Sequence, residues 1–403
     1  MAEALARQLE DTLDPTSEVM SLQMGPSHPA THGTVKFNLK LDGEKILDMD
    51  VEIGYLHRGF EKMCEQRTWN HVVPYTDRLN YISPLINNAG FALAAERLLD
   101  IQAPERCQYI RMIMSEISRM ADHFTCLGMA AAEAGAISVA FYGLEARETL
   151  FDIITAVTGA RLTVSYARVG GVTQDLPEGF AERVRGAFKD IRAVMSDCDN
   201  LLSKNRIFIE RMSGVGVLSK EDAISYGVTG PLLRASGVAY DVRKSDPYLF
   251  YDRVDFDVPT GTEGDNYDRF SVRFEEIRQS MRIIDQALDQ IPEGPVRVDD
   301  PRISLPQKKD VYGNIEGLMN HFKLVIEGVK IPPGEVYQAV EGGNGELGFY
   351  LVSDGSGRPY RVRVRPPCFF GMAALGQMLK GYMISDIITT FGMVNMIGGE
   401  CDR

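Results

Sequence analysis

Two histidines in a segment bordered by proline and glycine are the first residues whose types and spacing could support chemistry. His28 and His32 stand four positions apart, the spacing of two zinc ligands on one helical turn. Pro26, Pro29 and Gly33 surround them and disfavour a regular helix, and no glutamate lies beside either histidine, so a metalloprotease is not predicted. A stiff loop can instead hold one imidazole in place, although an ordinary surface turn with two incidental histidines stays open as the alternative.

Glycine-rich and cysteine patterns exclude several other chemistries. Gly343-x-Gly345-x-x-Gly348 has the letters of a dinucleotide fingerprint, but the strand-forming residues 349–352 follow it where the fingerprint needs a helix. We therefore predict a hairpin turn there. No nucleophile-elbow or P-loop motif occurs. The six cysteines are too widely spaced for a zinc or iron–sulfur centre held by this chain alone, and they fit a reducing compartment; they stand at positions 64, 107, 126, 198, 368 and 401.

Charge and hydropathy narrow the class of protein. The 403 residues include 43 Lys and Arg against 56 Asp and Glu, so the formal net charge of −13 argues against nucleic acid as a partner. The longest apolar run, residues 387–399, is too short for a membrane span, which takes about 20 residues. The first residues lack the apolar stretch of a signal peptide. We expect a cytoplasmic protein that is not integral to a membrane but could dock on a membrane complex.

The elements that must position the histidines form three regions, and together they predict an α+β fold. Residues 1–66 read as a loose arm, 1–17, followed by a sheet with a hairpin at Asp42-Gly43. Residues 67–230 read as a helical bundle, with helices over 85–99, from about 104 to 127, over 149–158 and over 177–202. Residues 231–403 read as a mixed region with one long helix and a β meander over 336–364. Because five of the six histidines fall in the first 123 residues, we expect a cleft between sheet and bundle.

Longer motifs make a specific resemblance. They are GPSHPATHG at 25–33, GYLHRGFEK at 54–62, YTDRLNYIS at 75–83, RVGGV at 168–172, LRASGVAYDVRKSDPY at 233–248 and the terminal CDR. In this order they resemble the quinone-site subunit of respiratory complex I, over nearly the whole chain. That family is related to the large subunit of nickel–iron hydrogenases, and the resemblance implies the hydrogenase fold: an N-terminal β sheet, a central helical bundle and a C-terminal mixed region.

The relationship to hydrogenases allows us to ask whether this chain keeps the cysteines that bind the hydrogenase metals. The two cysteine pairs that bind the hydrogenase metals would align with Asn80 and Ser83 and with about Ile397 and Glu400. None of these is a cysteine, so nickel ligation by four thiolates is excluded and no metal is expected on this chain. The resemblance implies that a vacated metal cavity receives a quinone headgroup.

The resemblance implies roles for three catalytic residues. His32 and Tyr81 match the histidine and tyrosine that donate protons to the quinone, and Glu133 stands where the family usually has an aspartate behind the histidine. The longer side chain of Glu133 changes the pairing geometry, and a solvated helix face is the alternative for that residue. Met129, close to Glu133 on the same helix, is expected to line the quinone channel without selecting the quinone type.

The resemblance also places two arginines and one threonine near the iron–sulfur cluster that donates electrons to the quinone. Arg58 and Arg78 match arginines that lie against the terminal iron–sulfur cluster of the neighbouring small subunit; ordinary surface arginines are the alternative. Thr163 aligns with a histidine near that cluster and cannot titrate, so we expect a weak pH dependence of the cluster potential.

The function implied is that of a peripheral subunit of a proton-pumping NADH:quinone oxidoreductase on the cytoplasmic face of the cell membrane. Its implied partners are the small subunit with the terminal cluster, the membrane subunit that forms the quinone channel, and other complex I subunits. Two alternatives stay open from the sequence: a related complex fed by ferredoxin or deazaflavin, and a non-catalytic scaffold subunit.

Overall fold

The computed structural model describes residues 19–403, so the predicted arm at 1–17 lies outside the described residues. Eight strands form three antiparallel sheets. The strands are β1 (Val19–Met24), β2 (Lys36–Asp42) and β3 (Lys45–Glu52) in the first sheet, β4 (Ala167–Arg168) and β5 (Gly171–Val172) in the second, and β6 (Gly334–Gly342), β7 (Gly345–Ser353) and β8 (Arg361–Arg365) in the third.

Sixteen α-helices lie within residues 19–403. They are α1 (Phe60–Glu65), α2 (Trp69–Thr76), α3 (Pro84–Leu99), α4 (Glu105–Glu133), α5 (Ile137–Thr158), α6 (Phe180–Leu202), α7 (Arg206–Met212), α8 (Lys220–Ser225), α9 (Pro231–Ala235), α10 (Val242–Ser245), α11 (Asn266–Gln290), α12 (Lys308–Gly313), α13 (Ile315–Ile326), α14 (Pro367–Leu379), α15 (Asp386–Val394) and α16 (Gly398–Cys401). With the strands they make a mixed α+β fold, as predicted.

The hairpin predicted at Asp42-Gly43 is confirmed. Asp42 pairs with Lys45 across the turn, and Gly43 adopts a φ of 58°, which glycine reaches without steric cost. The buried face of this sheet carries Phe37, Leu39 and other apolar side chains. That face packs on α14 and α15, so the N-terminal sheet is held against the C-terminal helices.

Four helices, α3 to α6, form the centre of the fold. The starts of α3, α4 and α6 agree with the sequence to within three residues, although α4 continues to Glu133, six residues past the predicted 127. The start of α5 does not agree, because it lies at Ile137, twelve residues before the predicted start at Thr149. The start was missed because residues 137–148 mix exposed apolar and charged side chains, and so carry no clear helical period. Gly159 ends α5 with a φ of 78°, as predicted.

The glycine fingerprint at Gly343 is a hairpin, as the sequence predicts. Gly342 pairs with Gly345, and β6 and β7 continue in register to Gly334 and Ser353. Strand β8 then completes the predicted meander. The helix that a dinucleotide site requires after the last glycine is replaced by strand β7.

None of the helices within residues 19–403 has the length and apolar composition needed to cross a membrane.

Candidate functional site

The loop that carries His32 is fixed by its own hydrogen bonds. Between His28 and His32 the chain makes one turn of 3-10 helix, and His28 Nδ1 accepts a hydrogen bond of 3.2 Å from the backbone N–H of Ala30. The buried Thr31 hydroxyl donates to the carbonyl of His28 at 3.0 Å. His32 itself has a φ of 53°, a left-handed conformation that a non-glycine residue keeps only where its surroundings enforce it. The loop therefore presents the His32 imidazole in one direction.

Glu133 receives the imidazole. His32 Nε2 lies 2.9 Å from Glu133 Oε1, and the His32 ring packs on Phe391 with 5.2 Å between ring centroids. The His32 side chain is 42% exposed and the Glu133 side chain 12%, so the imidazole lies nearer the protein surface and the carboxylate lies behind it. The second oxygen, Glu133 Oε2, is buried against Gly392 and has no hydrogen-bond partner in the described part of the chain.

Tyr81 lies in the turn between α2 and α3. Its side chain is 40% exposed, and within residues 19–403 its hydroxyl has no hydrogen-bond partner. The ring lies so close to Gly399 that a Cβ there would be 3.2 Å from Tyr81 Cδ1. Burial raises the pKa of Tyr81, so its phenol keeps the proton at neutral pH. Residues 391–399 thus have His32 at one end and Tyr81 at the other.

Arg58 and Arg78 form a pair of exposed cations. The Arg58 guanidinium donates through Nη2 to the carbonyl oxygen of Arg78, and Arg78 Nη1 donates to the carbonyl of Pro74 at 2.7 Å. Burial, and then the charge of Arg78, lower the pKa of Arg58. Arg78 is 3.6 Å from the buried Asp77 carboxylate. The two guanidinium groups are brought together by the turn that carries Tyr81 and lie on one surface.

The terminal CDR motif forms hydrogen bonds to residues 54–57, the segment that precedes Arg58. The Asp402 carboxylate accepts hydrogen bonds from the backbone N–H of Gly54 at 3.0 Å and of Leu56 at 2.8 Å. His57 Nδ1 donates to the Asp402 carbonyl at 2.7 Å. Two motifs nearly 350 residues apart in the sequence are therefore in direct contact.

The remaining predicted residues lie nearby or on the surface. Met129 is one helical turn before Glu133 on α4 and is 44% exposed. Thr163 is exposed in the segment between α5 and β4. Within residues 19–403 there is no group of three or more His, Cys, Asp or Glu side chains that could hold a metal ion.

A buried polar cluster occupies the positions that align with the hydrogenase cysteines. Asn80 Nδ2 and Ser83 Oγ donate to Asp122 at 2.9 Å and 3.2 Å. Glu400 is 1% exposed and its Oε2 lies 2.7 Å from Cys368 Sγ. Sequence reasoning missed Asp122 and Cys368. No local signal singled out Asp122, because α4 carries several other buried charged residues, among them Glu116 and Arg119.

Comparisons with known proteins identify the family of the chain. The model of the family described as respiratory-chain NADH dehydrogenase, 49 Kd subunit, matches residues 133–403. A D subunit of NADH-quinone oxidoreductase from Sorangium cellulosum is 56% identical over 403 residues, all of both chains. The D subunit of the same enzyme from Myxococcus xanthus is 56% identical over 384 residues, 95% of this chain and 92% of that protein. The D subunit from Pelobacter propionicus is 48% identical over 395 residues, 98% of both chains.

Proposed function

The chain belongs to the family of the 49 kDa subunit of respiratory-chain NADH dehydrogenase, and we propose that it forms the quinone headgroup site of this enzyme, next to the terminal iron–sulfur cluster of a neighbouring subunit. It is part of an NADH-quinone oxidoreductase, so the other complex I subunits are its partners. Among them we propose direct contact with the small subunit that carries the terminal cluster and with the membrane subunit that forms the quinone channel.

One observation supports the proposal: two partly exposed side chains that can donate protons, His32 and Tyr81, pack against the same C-terminal segment, residues 391–399. His32 is oriented by Glu133 from behind, and the hydroxyl of Tyr81 has no partner in the described part of the chain. A binding site for a small, mostly apolar ligand is typically lined by apolar side chains and has a few polar groups that fix the orientation of the ligand. Two such groups could hold the two oxygens of a flat quinone ring.

Reduction of a quinone to a quinol takes up two electrons and two protons. His32 in its protonated form donates to one carbonyl oxygen of the substrate, and Tyr81 donates to the other. Glu133 keeps the imidazole Nε2 in a fixed orientation and balances its charge. A neutral phenol is a weak acid in water, but it can protonate an oxygen that becomes strongly basic when electrons arrive. Met129, on the exposed side of α4, is proposed to line the path of the quinone.

Arg58 and Arg78 supply positive charge on the side from which electrons come. A cation close to an iron–sulfur cluster stabilises its reduced, more negative state and raises its potential. Thr163 contributes no titrating group there, so we propose that the cluster potential depends only weakly on pH. A redox titration of the intact complex, followed by electron paramagnetic resonance at several pH values, tests this; a slope near one proton per electron contradicts it.

The setting follows from the same proposal. We propose that regions 1–66, 67–230 and 231–403 correspond to the N-terminal sheet, the helical bundle and the C-terminal mixed region of a hydrogenase-like large subunit. The place of the hydrogenase metals is taken here by protein side chains. The subunit is peripheral, on the cytoplasmic face of the membrane, and quinone reduction at its site is coupled to proton pumping in the membrane arm.

The test is Tyr81→Phe in the assembled complex. Loss of the hydroxyl removes one proton donor, and general acid catalysis contributes roughly 10² to 10⁴ in rate. We therefore expect quinone reductase activity to fall by on the order of 100-fold or more, while electron transfer from NADH to an artificial acceptor stays normal.

Tyr312→Phe is the matched control. Tyr312 is 81% exposed on α12 and is not among the residues of the proposed site, so removal of its hydroxyl should leave the activity equal to that of the unaltered enzyme. Unchanged quinone reduction in Tyr81→Phe would reject the proposed site and favour a scaffold role.

A further inference from the structure

Two arginines flank Gly171 at the tight turn between β4 and β5. Gly171 pairs with Arg168 across this turn and, on its other side, forms an antiparallel bridge with Arg297. Residues directly opposite each other in antiparallel pairing project to the same face, so the two arginines share one face with only a glycine between them. A Cβ on Gly171 would lie 2.7 Å from Arg297 Cγ, so a side chain at this position would displace Arg297.

The turn is held from the interior of the protein by a buried ion pair. Arg111 Nη2 lies 2.6 Å from Glu96 Oε1, and both side chains are buried. The same Nη2 donates to the carbonyl oxygens of Arg168 at 2.8 Å and Gly171 at 3.0 Å. The backbone N–H of Gly170 donates to Glu96 Oε1 at 2.7 Å. The backbone that carries Arg168 is therefore fixed without any contribution from the Arg168 guanidinium.

Both guanidinium groups keep N–H groups without a partner. Arg168 makes one long hydrogen bond, from Nε to the carbonyl of Ser165 at 3.4 Å, and its Nη1 and Nη2 have no partner within residues 19–403. Arg297 donates from Nε to the carbonyl of Val172 at 2.8 Å and from Nη2 to that of Thr173, which leaves its Nη1 without a partner in the same range. No carboxylate of the described residues forms an ion pair with either arginine.

The two positive charges oppose each other. Burial, and then the charge of Arg297, lower the pKa of Arg168, while Asp77 acts in the other direction. The Asp77 carboxylate is already occupied, because it accepts hydrogen bonds from the Ser165 hydroxyl at 2.6 Å and from Asn88 Nδ2 at 2.9 Å. A further carboxylate between the two arginines would relieve their repulsion.

Both arginines line a pocket of about 300 Å³. Asn70 and Ser304 add polar groups to its lining, and Leu305, 42% exposed, is an apolar residue of the same lining. Sites for small molecules measure roughly 300–1,000 Å³, so this pocket is at the lower end and suits a single inserted side chain. Guanidinium groups bind carboxylates through parallel N–H···O bonds, so the chemistry of the lining selects an acidic side chain.

The pocket is continuous with the surface on which Arg78 lies. Arg78 is 3.6 Å from the Asp77 carboxylate, which accepts the 2.6 Å hydrogen bond from the Ser165 hydroxyl. The carbonyl of Ser165 in turn accepts from Arg168. A neighbouring subunit that covers Arg78 therefore reaches the pocket as well.

We infer that this pocket receives the carboxylate of an Asp or Glu side chain from the small subunit that carries the terminal iron–sulfur cluster. The inference rests on the contact with that subunit proposed above, and not on the quinone chemistry of Tyr81. Arg168 Nη1 and Nη2 bind the two carboxylate oxygens, and Arg297 Nη1 adds a third donor. The acidic side chain anchors the small subunit beside the surface that carries Arg58 and Arg78.

A photo-cross-link in the assembled complex identifies the occupant. A benzophenone derivative of phenylalanine in place of Leu305 should become cross-linked to a peptide of the cluster-bearing subunit that contains Asp or Glu. The same derivative in place of Ile207 is the control, because Ile207 is 68% exposed on α7 and does not line the pocket; it should not label that peptide. A cross-link from position 305 only within this chain, to another subunit, or to a peptide without an acid would overturn the inference.

Arg168→Gln tests the charge in the same complex. We expect the cluster-bearing subunit to dissociate on the order of 10-fold faster at high salt, with Arg168→Lys between this variant and the unaltered complex. Arg183→Gln is the matched control, since Arg183 is exposed on α6 and also donates to a single backbone carbonyl, that of Asp152. Its dissociation rate should equal that of the unaltered complex. An unchanged rate in Arg168→Gln would overturn the inference, and binding of inorganic phosphate to the pocket would then identify a small anion as the occupant.

Charge reversal makes the test specific for the pair. Arg168→Glu should weaken retention of the subunit, and replacement of the cross-linked acid by Arg in the same complex should restore it; no improvement over Arg168→Glu alone would overturn the inference. If the Arg168 variants do not assemble, the cross-link decides, because it leaves both arginines in place. Failure of Tyr81→Phe to lower activity would reject the proposed quinone site but would leave the cross-link and the charge reversal as expected.

Discussion

His32 Nε2 lies 2.9 Å from Glu133 Oε1 although 101 positions separate the two residues. The loop fixes the direction of the imidazole, and the last residue of α4 supplies the carboxylate. A charged hydrogen bond is worth about 1.5–3 kcal/mol, which corresponds to a factor of roughly 10 to 100 in a rate that depends on it.

Glu133→Gln should therefore lower quinone reductase activity by on the order of 10-fold to 100-fold. The amide can still meet the imidazole but cannot balance its positive charge, so His32 donates less readily. Steady-state rates with quinone and with an artificial acceptor measure the effect. Glu145→Gln, an exposed glutamate on α5, is the control; equal rates in both variants would show that the His32–Glu133 pair has no part in turnover.

Gly392→Ala should impair the same pair without removing any polar group. A Cβ at this position of α15 would lie 1.9 Å from Glu133 Oε2, so the flexible carboxylate must move away. Because only the end of a side chain is displaced, we expect little change in thermal stability and a quinone reductase rate lowered several-fold.

Gly186→Ala provides the comparison for Gly392→Ala. It is also a helical glycine, on α6, and a Cβ there meets nothing within 4 Å. Alanine favours the helix at both positions by about 1 kcal/mol, so only the contact with Glu133 differs. Normal quinone reduction in Gly392→Ala would mean that the position of Glu133 is not critical.

Secondary-structure elements could be predicted from the sequence where a few neighbouring residues determine the backbone conformation. Asp42-Gly43 predicts a hairpin by turn chemistry, and Gly159 ends a helix because it accepts a positive φ. The start of α5 at Ile137 could not be predicted, since exposed apolar residues such as Phe141, 64% exposed, break the helical period there.

The candidate site was only partly accessible from the sequence. His32 and Glu133 were identified through motif resemblance, and their contact within 2.9 Å confirms that they are neighbours, while their catalytic role stays a prediction. The link between Cys368 and Glu400 could not be predicted, because it depends on how α14 packs against α16. Contacts of this kind arise from tertiary packing, which local patterns do not encode.

Buried ion pairs hold α4, α10 and α11 together, and Glu116 is central among them. The Glu116 carboxylate is fully buried, meets Arg119 and Arg243, and accepts hydrogen bonds of 2.6 Å from Tyr251 and Ser280. Glu116→Gln leaves two buried guanidinium groups undercompensated, which costs about 3–5 kcal/mol. We expect a lower yield of assembled complex and a lower temperature of inactivation.

Glu210→Gln is the surface counterpart of Glu116→Gln. Glu210 pairs with Arg206 at 2.7 Å, but both side chains are more than half exposed, and such a helical pair is worth only about 0.3–0.5 kcal/mol. Equal losses in the two variants would contradict the importance of burial.

Acid should remove the stabilisation that Glu116 provides. Burial alone would raise the pKa of Glu116, but Arg119 and Arg243 outweigh it and lower the pKa from 4.5 to about 2. Since the folded pKa lies below the unfolded one, the stabilisation is complete above about pH 4.5 and is lost as the pH falls toward about 2. The difference in stability between the unaltered protein and Glu116→Gln should therefore shrink over this range in unfolding experiments. A constant difference would show that Glu116 does not titrate there.

Arg58→Gln should lower the midpoint potential of the neighbouring subunit's terminal cluster. The guanidinium of Arg58 lies on an exposed surface next to Arg78, and its removal takes one positive charge from the side on which we propose the cluster. Less positive charge destabilises the reduced cluster, so a redox titration followed by electron paramagnetic resonance should show a more negative midpoint. Arg67→Gln removes the same charge from an exposed position after α1 and should leave the potential unchanged. An equal shift in both variants would indicate a general charge effect, and no shift in Arg58→Gln would place the cluster elsewhere.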